Sequence, residues 1–263
     1  MIPKRIFQTW KSKTDIPENM SYWQSTWKRH NLNYDYQLWD DTDNRNFIET
    51  YYPWFLEKYD SYDVMIKRAD AVRYFYLYHF GGIYADMDFE CIRNFDDILE
   101  LDGIVLGYMG DPAEYNHEHN IPNAIMISKP REVFWLCMFY NLMRTPSYGA
   151  VEYTTGPVVL KSAIEIYNQI LSEQMNIETL VWYIKLKELL GENLQPNTGY
   201  SKITILPTEY FYPLNWRDWD QQQQLRHPVV PQNKEQKGII YDEEKVKKLF
   251  PNSYAVTYWT HSY

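Results

Sequence analysis

Asp86 and Asp88 stand one residue apart, directly after Gly81-Gly82-Ile83-Tyr84-Ala85. In an extended backbone alternate side chains share a face, so the two carboxylates project together and Met87 turns away. Two carboxylates held that close repel each other unless a proton or a cation lies between them. A divalent ion such as Mn2+ or Mg2+ suits oxygen ligands, and it commonly keeps its other positions for water and substrate phosphate. The chemistry expected is a metal site that receives a phosphate-bearing ligand. Two aspartates at this spacing are common, and a solvated turn or a helix cap is the plain alternative. Their place straight after two glycines and a short apolar run strengthens the metal reading.

Asp70 and Arg73 lie three residues apart on a helical stretch that leads into those glycines. Spacing alone leaves two readings open. One is an ion pair on an exposed helix face, worth roughly a few tenths of a kcal/mol. The other turns both side chains into a cleft beside Asp86 and Asp88. There Arg73 would neutralise phosphate or orient a carboxylate, and Asp70 would accept hydrogen bonds from a polyol. His117-Glu118-His119 is a second cluster of metal-ligand types, but a zinc site needs further ligands at suitable spacing. It reads as a loop facing a second substrate, or as plain solvated loop.

These residues must be held by regular elements. In 64–80, Met65, Ala69, Val72, Tyr76 and Phe80 recur at helical steps and predict one core-facing stripe. Gly81-Gly82 ends that helix, because glycine takes left-handed backbone at little cost. Strands are expected over 2–9, 34–39, 83–85, 103–109, 124–128, 203–206 and 255–258. Helices are expected over 18–30, 53–58, 132–144, 158–171 and 177–190, and from the caps at Asp40 to Asp43 as far as Tyr51. Alternating strands and helices favour an α/β sheet covered on both faces. Residues 111–122 and 220–238 read as loops, the second carrying Gln221-Gln222-Gln223-Gln224. No domain boundary stands out, so one domain over 1–263 is expected.

Composition removes several classes of function. A formal net charge of -9 argues against a nucleic-acid partner. Cys91 and Cys137 are the only cysteines, too few for a disulfide framework, and their spacing fits no zinc motif. No signal-like apolar segment follows Met1, and no stretch reaches the length of a membrane span, so a cytoplasmic protein is expected. With 25 Tyr and 10 Trp, the chain has rings enough both to fill a core and to stack on bases or sugars, and composition does not choose between those uses.

The opening, Ile2-Pro3-Lys4-Arg5-Ile6-Phe7-Gln8-Thr9-Trp10-Lys11, resembles that of the DXD-containing glycosyltransferases of family 32, related to yeast-type α-mannosyltransferases, capsule enzymes and clostridial glucosylating toxins. Arg68-Ala69-Asp70-Ala71-Val72-Arg73-Tyr74, followed by Gly81-Gly82-Ile83-Tyr84-Ala85-Asp86-Met87-Asp88, is similar to the central block of that family. Leu38-Trp39-Asp40-Asp41, Asn123-Ala124-Ile125 and Thr155-Gly156-Pro157 are weaker matches. The resemblance covers most of the chain.

It implies a GT-A fold with a Rossmann-like nucleotide-binding half, a mixed central sheet and an acceptor half. It also implies a nucleotide-sugar donor, a glycan or other hydroxyl acceptor, and Mn2+ or Mg2+. Asp88 would bind the metal directly, and Asp86 through water or by touching the ribose and sugar. Asp70 and Arg73 would hold the donor sugar and phosphate. Thr9, Trp10 and Tyr84 would lie near the base or ribose, although both rings could instead be core. Asn123, Thr155 and Gly156 would line the donor or acceptor pocket. The ending departs from the family pattern, for Thr257 stands where a His is expected and Tyr263 where a Trp is expected. His261 or Ser262 would take over as a further metal ligand.

The reading is a metal-dependent hexosyltransferase, with UDP-hexose as first donor and GDP-mannose as second. The resemblance implies retention of anomeric configuration. A metal-dependent phosphohydrolase would share the same carboxylates, and a catalytically silent nucleotide- or carbohydrate-binding protein would suit the altered ending.

Overall fold

The computed structural model describes residues 1–112, 118–191, 196–197, 199–214 and 242–260. Its centre is a six-stranded sheet in the order β2-β1-β3-β6-β5-β7. The strands are β1 (Arg5–Thr9), β2 (Asp35–Trp39), β3 (Gly82–Ala85), β5 (Ile104–Gly107), β6 (Ile125–Ser128) and β7 (Ile203–Leu206). β1 runs parallel to β2 and β3, and β5 runs parallel to β7. β6 is antiparallel to both β3 and β5. The α/β class and the mixed sheet are as expected from the sequence.

Alternation along the strands divides the apolar residues between two faces. Phe7, Tyr84, Leu106 and Met126 enter a large core with α2 (Asp41–Tyr51), α3 (Pro53–Asp60), α4 (Met65–Phe80), α6 (Val133–Arg144), α8 (Pro157–Ser172) and α9 (Val181–Leu190). Ile6, Ile83, Val105 and Ile127 enter a second core with Trp27 of α1 (Glu18–His30) and Phe95. The connection from β1 to β2 therefore crosses one face, and the connection from β2 to β3 crosses the other. The crossover reverses between β1 and β3, and the carboxyl ends of strands at such a reversal border a crevice suited to ligands.

A second, two-stranded sheet closes one side of that crevice. β4 (Phe89–Cys91) pairs antiparallel with β8 (Ala255–Thr257), joining Phe89 to Thr257. Trp27 Nε1 donates to the Phe89 carbonyl at 2.9 Å, and Trp23 stacks on Tyr258 with centroids 4.6 Å apart. The two tryptophans one turn apart on α1 thus fasten this small sheet to the body of the molecule.

Several expectations need correction. Residues 86–88 are not extended: Met87 and Asp88 form a turn, and the Phe89 N–H donates to the Asp86 carbonyl at 3.2 Å. Met87 nevertheless turns into a third core with Trp10, Leu214 and Val256. The expected stripe on α4 is too narrow, because residues 69–78 are buried on every side while Met65 is exposed. The helix expected over 177–190 is a short 3-10 turn (Ile177–Thr179) followed by α9, separated by Leu180 in extended conformation. The 220–238 loop lies outside the described residues.

Candidate active site

The two glycines set the geometry. Gly81 and Gly82 have φ of 65° and 100°, and a Cβ on Gly82 would lie 2.6 Å from the Arg5 carbonyl oxygen. A side chain there would push β3 away from β1. Without one, β3 starts directly beneath α4 and delivers Asp86 to the carboxyl edge of the sheet, next to the end of β1. Gln8 of β1 fixes the connection by donating through Nε2 to the Asp86 carbonyl at 3.0 Å, and Tyr36 donates to Gln8 Oε1 at 2.7 Å.

Asp70 and Arg73 are buried, at 5% and 2% exposure, so the exposed ion-pair reading does not hold. Arg73 Nη2 lies 2.8 Å from Asp70 Oδ1, and Nη1 lies 3.2 Å from Asp86 Oδ1. Nη1 also donates to the Asn123 carbonyl at 2.9 Å. The guanidinium rests over the Tyr84 ring at 4.5 Å, a cation–π arrangement. The Tyr84 hydroxyl in turn donates to Asp86 Oδ1 at 2.7 Å. One buried cation therefore joins two carboxylates from α4 and the end of β3.

Each carboxylate feels this setting differently. Burial pushes Asp86 up to about 7; Arg73 pulls it down, the Asp88 charge pushes it up and the Tyr84 hydrogen bond pulls it down. Burial also raises Asp70, against the pull of Arg73 and of hydrogen bonds from Asn123 and Thr155. Arg73 is held above its ordinary value despite burial, chiefly by Asp86, and stays charged.

Asp88 is fixed from the C-terminal side. The Thr260 N–H donates to Asp88 Oδ2 at 2.8 Å, its hydroxyl lies 3.3 Å from the same oxygen, and the Tyr258 N–H donates to the Asp88 carbonyl at 3.0 Å. Trp259 between them has φ of 51°, left-handed backbone uncommon for a bulky residue. Its indole donates to the Leu214 carbonyl at 2.8 Å and stacks on Tyr212. The strained residue is thus held by its ring, and its neighbour reaches Asp88.

The donor set suits a hard divalent cation. Asp86 and Asp88 supply carboxylate oxygens, and among the described residues the partners of the Asp86 carboxylate address Oδ1. Asp86 is 31% exposed at its side chain, although it is bonded to buried groups. Among the described residues no group of three or more His, Cys, Asp or Glu is placed to hold a metal. His261 and Ser262 lie outside the described residues. Thr257, at the family's His position, is buried in β8, paired with Phe89.

The other candidates fall into two groups. Asn123 and Thr155 join the Asp70 cluster: Asn123 Nδ2 donates to the Tyr74 hydroxyl at 2.9 Å, Tyr74 donates to the Thr155 carbonyl at 2.7 Å, and the Thr155 hydroxyl lies 3.4 Å from Asp70 Oδ2. Gly156 caps the N-terminus of α8, and a Cβ there would meet Glu152 Cα at 2.9 Å. The remaining candidates are committed to the interior. Thr9 donates to the Trp39 carbonyl and accepts from Asn44, and Trp10 is buried with its indole bonded to the Asp15 carbonyl. Tyr84 is also fully buried. Neither ring faces solvent as a stacking platform. In the 111–122 loop, His117 lies outside the described residues, Glu118 accepts from the Tyr153 hydroxyl, and the His119 ring meets Tyr153 edge-on.

Gln8 and Tyr74 are parts of the site that sequence reasoning passed over. Both lie inside the motif blocks, Gln8 two residues before Trp10 and Tyr74 beside Arg73. Their place inside those blocks was the available signal.

Residues 17–103 match the family described as a glycosyltransferase sugar-binding region containing a DXD motif. The chain is 40% identical over 164 residues to inositol phosphoceramide mannosyltransferase 3 of Schizosaccharomyces pombe, covering 60% of this chain and 44% of that protein. It is 34% identical to a mannosyl phosphorylinositol ceramide synthase of Saccharomyces cerevisiae, over 61% of this chain and 41% of that protein. A glycosyltransferase of Acanthamoeba polyphaga mimivirus, described as uncharacterized, is 30% identical over 64% of this chain and 67% of its own length. The chain spans less than half the length of the two fungal proteins. Among solved structures, PaToxG glycosyltransferase superposes with a TM-score of 0.46 at 18% identity, over 75% of this chain and 82% of that one.

Proposed function

Because the chain belongs to the family of glycosyltransferases whose sugar-binding region contains a DXD motif, we propose that it transfers a hexose from a nucleotide sugar to a hydroxyl acceptor. The observation that carries this reading is the buried bridge Asp70–Arg73–Asp86 at the carboxyl ends of β1 and β3. Fungal mannosyltransferases among the relatives favour a mannosyl donor, which puts GDP-mannose ahead of UDP-hexose. The names of those relatives also suggest a polyol acceptor such as an inositol headgroup.

The residues divide the task. Asp86 and Asp88 would hold a divalent cation, Mn2+ or Mg2+. That ion would supply positive charge to the diphosphate as the glycosidic bond breaks. Arg73 keeps its charge in a dry setting, where it acts on nearby anions more strongly than in water. It also sets the orientation of Asp70 and Asp86 before any ligand arrives. Asp70, with Thr155 and Asn123 beside it, would accept hydrogen bonds from sugar hydroxyls. In this reading the acceptor attacks from the face that the leaving diphosphate vacates, with retention of configuration.

The test is a screen of GDP-mannose and UDP-hexoses with Mn2+, following release of nucleoside diphosphate and analysing products. Transfer should vanish in excess chelator, and Asp88→Asn should lose nearly all activity with its melting temperature kept. Full activity in either case would sink the metal role. Release of free sugar at the same rate with or without acceptor would instead favour a phosphohydrolase.

A further inference from the structure

Two chain segments, 118–123 and 151–155, meet twice beside the Asp70 cluster. Inside the molecule they are joined through Tyr74, whose hydroxyl accepts from Asn123 Nδ2 at 2.9 Å and donates to the Thr155 carbonyl at 2.7 Å. This inner bridge borders the buried pair, for Arg73 donates to the Asn123 carbonyl and the Thr155 hydroxyl lies 3.4 Å from Asp70 Oδ2. The second meeting is at the surface. Tyr153, in the short helix α7 (Val151–Thr154), donates its hydroxyl to Glu118 Oε1, and His119 Nε2 lies 3.8 Å from the same oxygen. The His119 and Tyr153 rings meet edge-on with centroids 5.9 Å apart. Two residues of chain span at most about 7 Å, so Tyr153 stands that close to Thr155 and to the rim of the Asp70 cluster.

The outer bridge contributes little to holding the two segments together. Tyr153 is 49% exposed and the Glu118 side chain 47%, so water competes for both partners. Tyr74, Asn123 and Thr155 of the inner bridge are buried and already fasten the segments. We propose that Glu118, His119 and Tyr153 form the acceptor subsite, taking a cyclic polyol that rests against the Tyr153 ring with its hydroxyls on the carboxylate and imidazole. The inference rests on the reading of Asp70 as the residue that holds the donor sugar. An ionised carboxylate only accepts, an imidazole nitrogen donates or accepts by tautomer, and a half-exposed phenol ring offers apolar area. A cyclic polyol has C–H groups for the ring and hydroxyls for the other two. Such chemistry could belong to the donor hexose or to the acceptor. The position assigns it to the acceptor, because the donor sugar on Asp70 fills the inner part of the site and the next polyol meets the rim.

The test compares Glu118→Ala and Tyr153→Ala with the wild-type chain in Mn2+. Calorimetry gives the affinity for GDP-mannose and UDP-glucose, and transfer to myo-inositol and to methyl α-mannoside gives the acceptor KM. Melting temperatures are recorded alongside. Each variant should keep the wild-type melting temperature and nucleotide-sugar affinity. Its acceptor KM should rise about tenfold for whichever polyol the wild type uses, the scale of one lost hydrogen bond. Wild-type acceptor KM in both variants overturns the proposal. A lower melting temperature with weaker binding of both substrates also overturns it, because the outer bridge is then a structural latch. Weaker nucleotide-sugar binding at an unchanged melting temperature moves the contact to the donor hexose and overturns the assignment to the acceptor. Donor binding by the wild type with transfer to neither polyol overturns the polyol subsite and leaves the reading of Asp70 standing. No binding of either nucleotide sugar by the wild type overturns that underlying reading as well.

Discussion

Arg73 has the largest leverage of any single residue in the site. Its guanidinium is out of water and neutralises Asp70 and Asp86 together. Removing one partner from such a cluster leaves buried charge without compensation, which commonly costs about 3–5 kcal/mol. Arg73→Ala is therefore expected to lower stability by roughly 3 kcal/mol or more, read by urea denaturation. A loss under about 1 kcal/mol would mean that water reaches the cluster and screens it. Asp70→Asn keeps the shape and one acceptor oxygen, so its stability should fall less. Its kcat/KM should still drop on the order of 10²-fold, since about 2.7 kcal/mol of transition-state contact corresponds to that factor. The two variants together separate holding the fold from holding the ligand.

At the scale of elements, the small sheet of β4 and β8 decides whether Asp88 is in place. β8 follows Ser253 and Tyr254, pairs with β4, and then turns through the left-handed Trp259 so that Thr260 reaches Asp88. This segment is fastened by rings on both sides, Trp23 against Tyr258 and Tyr212 against Trp259. Removing residues 260–263 takes away two donors to Asp88 while leaving the β4–β8 ladder intact. Metal-dependent nucleotide binding should weaken, and the ratio of donor hydrolysis to transfer should rise as water gains access. Titration calorimetry and product analysis read the two effects. A truncated protein with unchanged affinity and an unchanged ratio would falsify this role for the segment.

For the molecule as a whole, carboxylates held above their ordinary range, Glu90 and Asp86 among them, link stability to pH. Burial pushes Glu90 up to about 7, Tyr258 and Tyr22 pull it down, and Glu243 pushes it up. Asp86 is displaced to about 7 as well. Unfolded carboxylates release their protons near pH 4 to 4.5, roughly. Between that pH and about 7 the native protein holds protons that the unfolded chain has lost, so stability falls as pH rises. Below the window both states are protonated, and above it both are charged, so the slope vanishes at each end. For the metal-free protein, the melting temperature should therefore decline from about pH 4.5 to about pH 7 on this account. Glu90→Gln should flatten part of that decline, leaving the share of Asp86. A variant with the full wild-type slope would remove Glu90 from the explanation. Among the described residues no helix is long and apolar enough to cross a membrane.

The sequence by itself determined the local facts. Glycine at 81 and 82 requires a helix stop followed by a close strand, and apolar runs of four or so residues make buried strands of one sheet. Asp86 and Asp88, one residue apart after that strand, identified the carboxylates that could share a cation. What it did not determine was which polar groups leave water. An ion pair at 70 and 73 has the same spacing on a solvated face as in a core, because spacing describes one helix and burial depends on what packs around it. That pair is enclosed by groups from elsewhere in the chain: Arg73 donates to the Asn123 carbonyl and lies over the Tyr84 ring, and the Thr155 hydroxyl approaches Asp70. Likewise Trp10 and Tyr84 carry the ring chemistry of a stacking site, yet tertiary contacts commit both to the interior. The position of Thr260 on Asp88 joins residues 172 positions apart in the chain. No local pattern encodes a contact of that range; it exists because β4 and β8 find each other in the folded molecule.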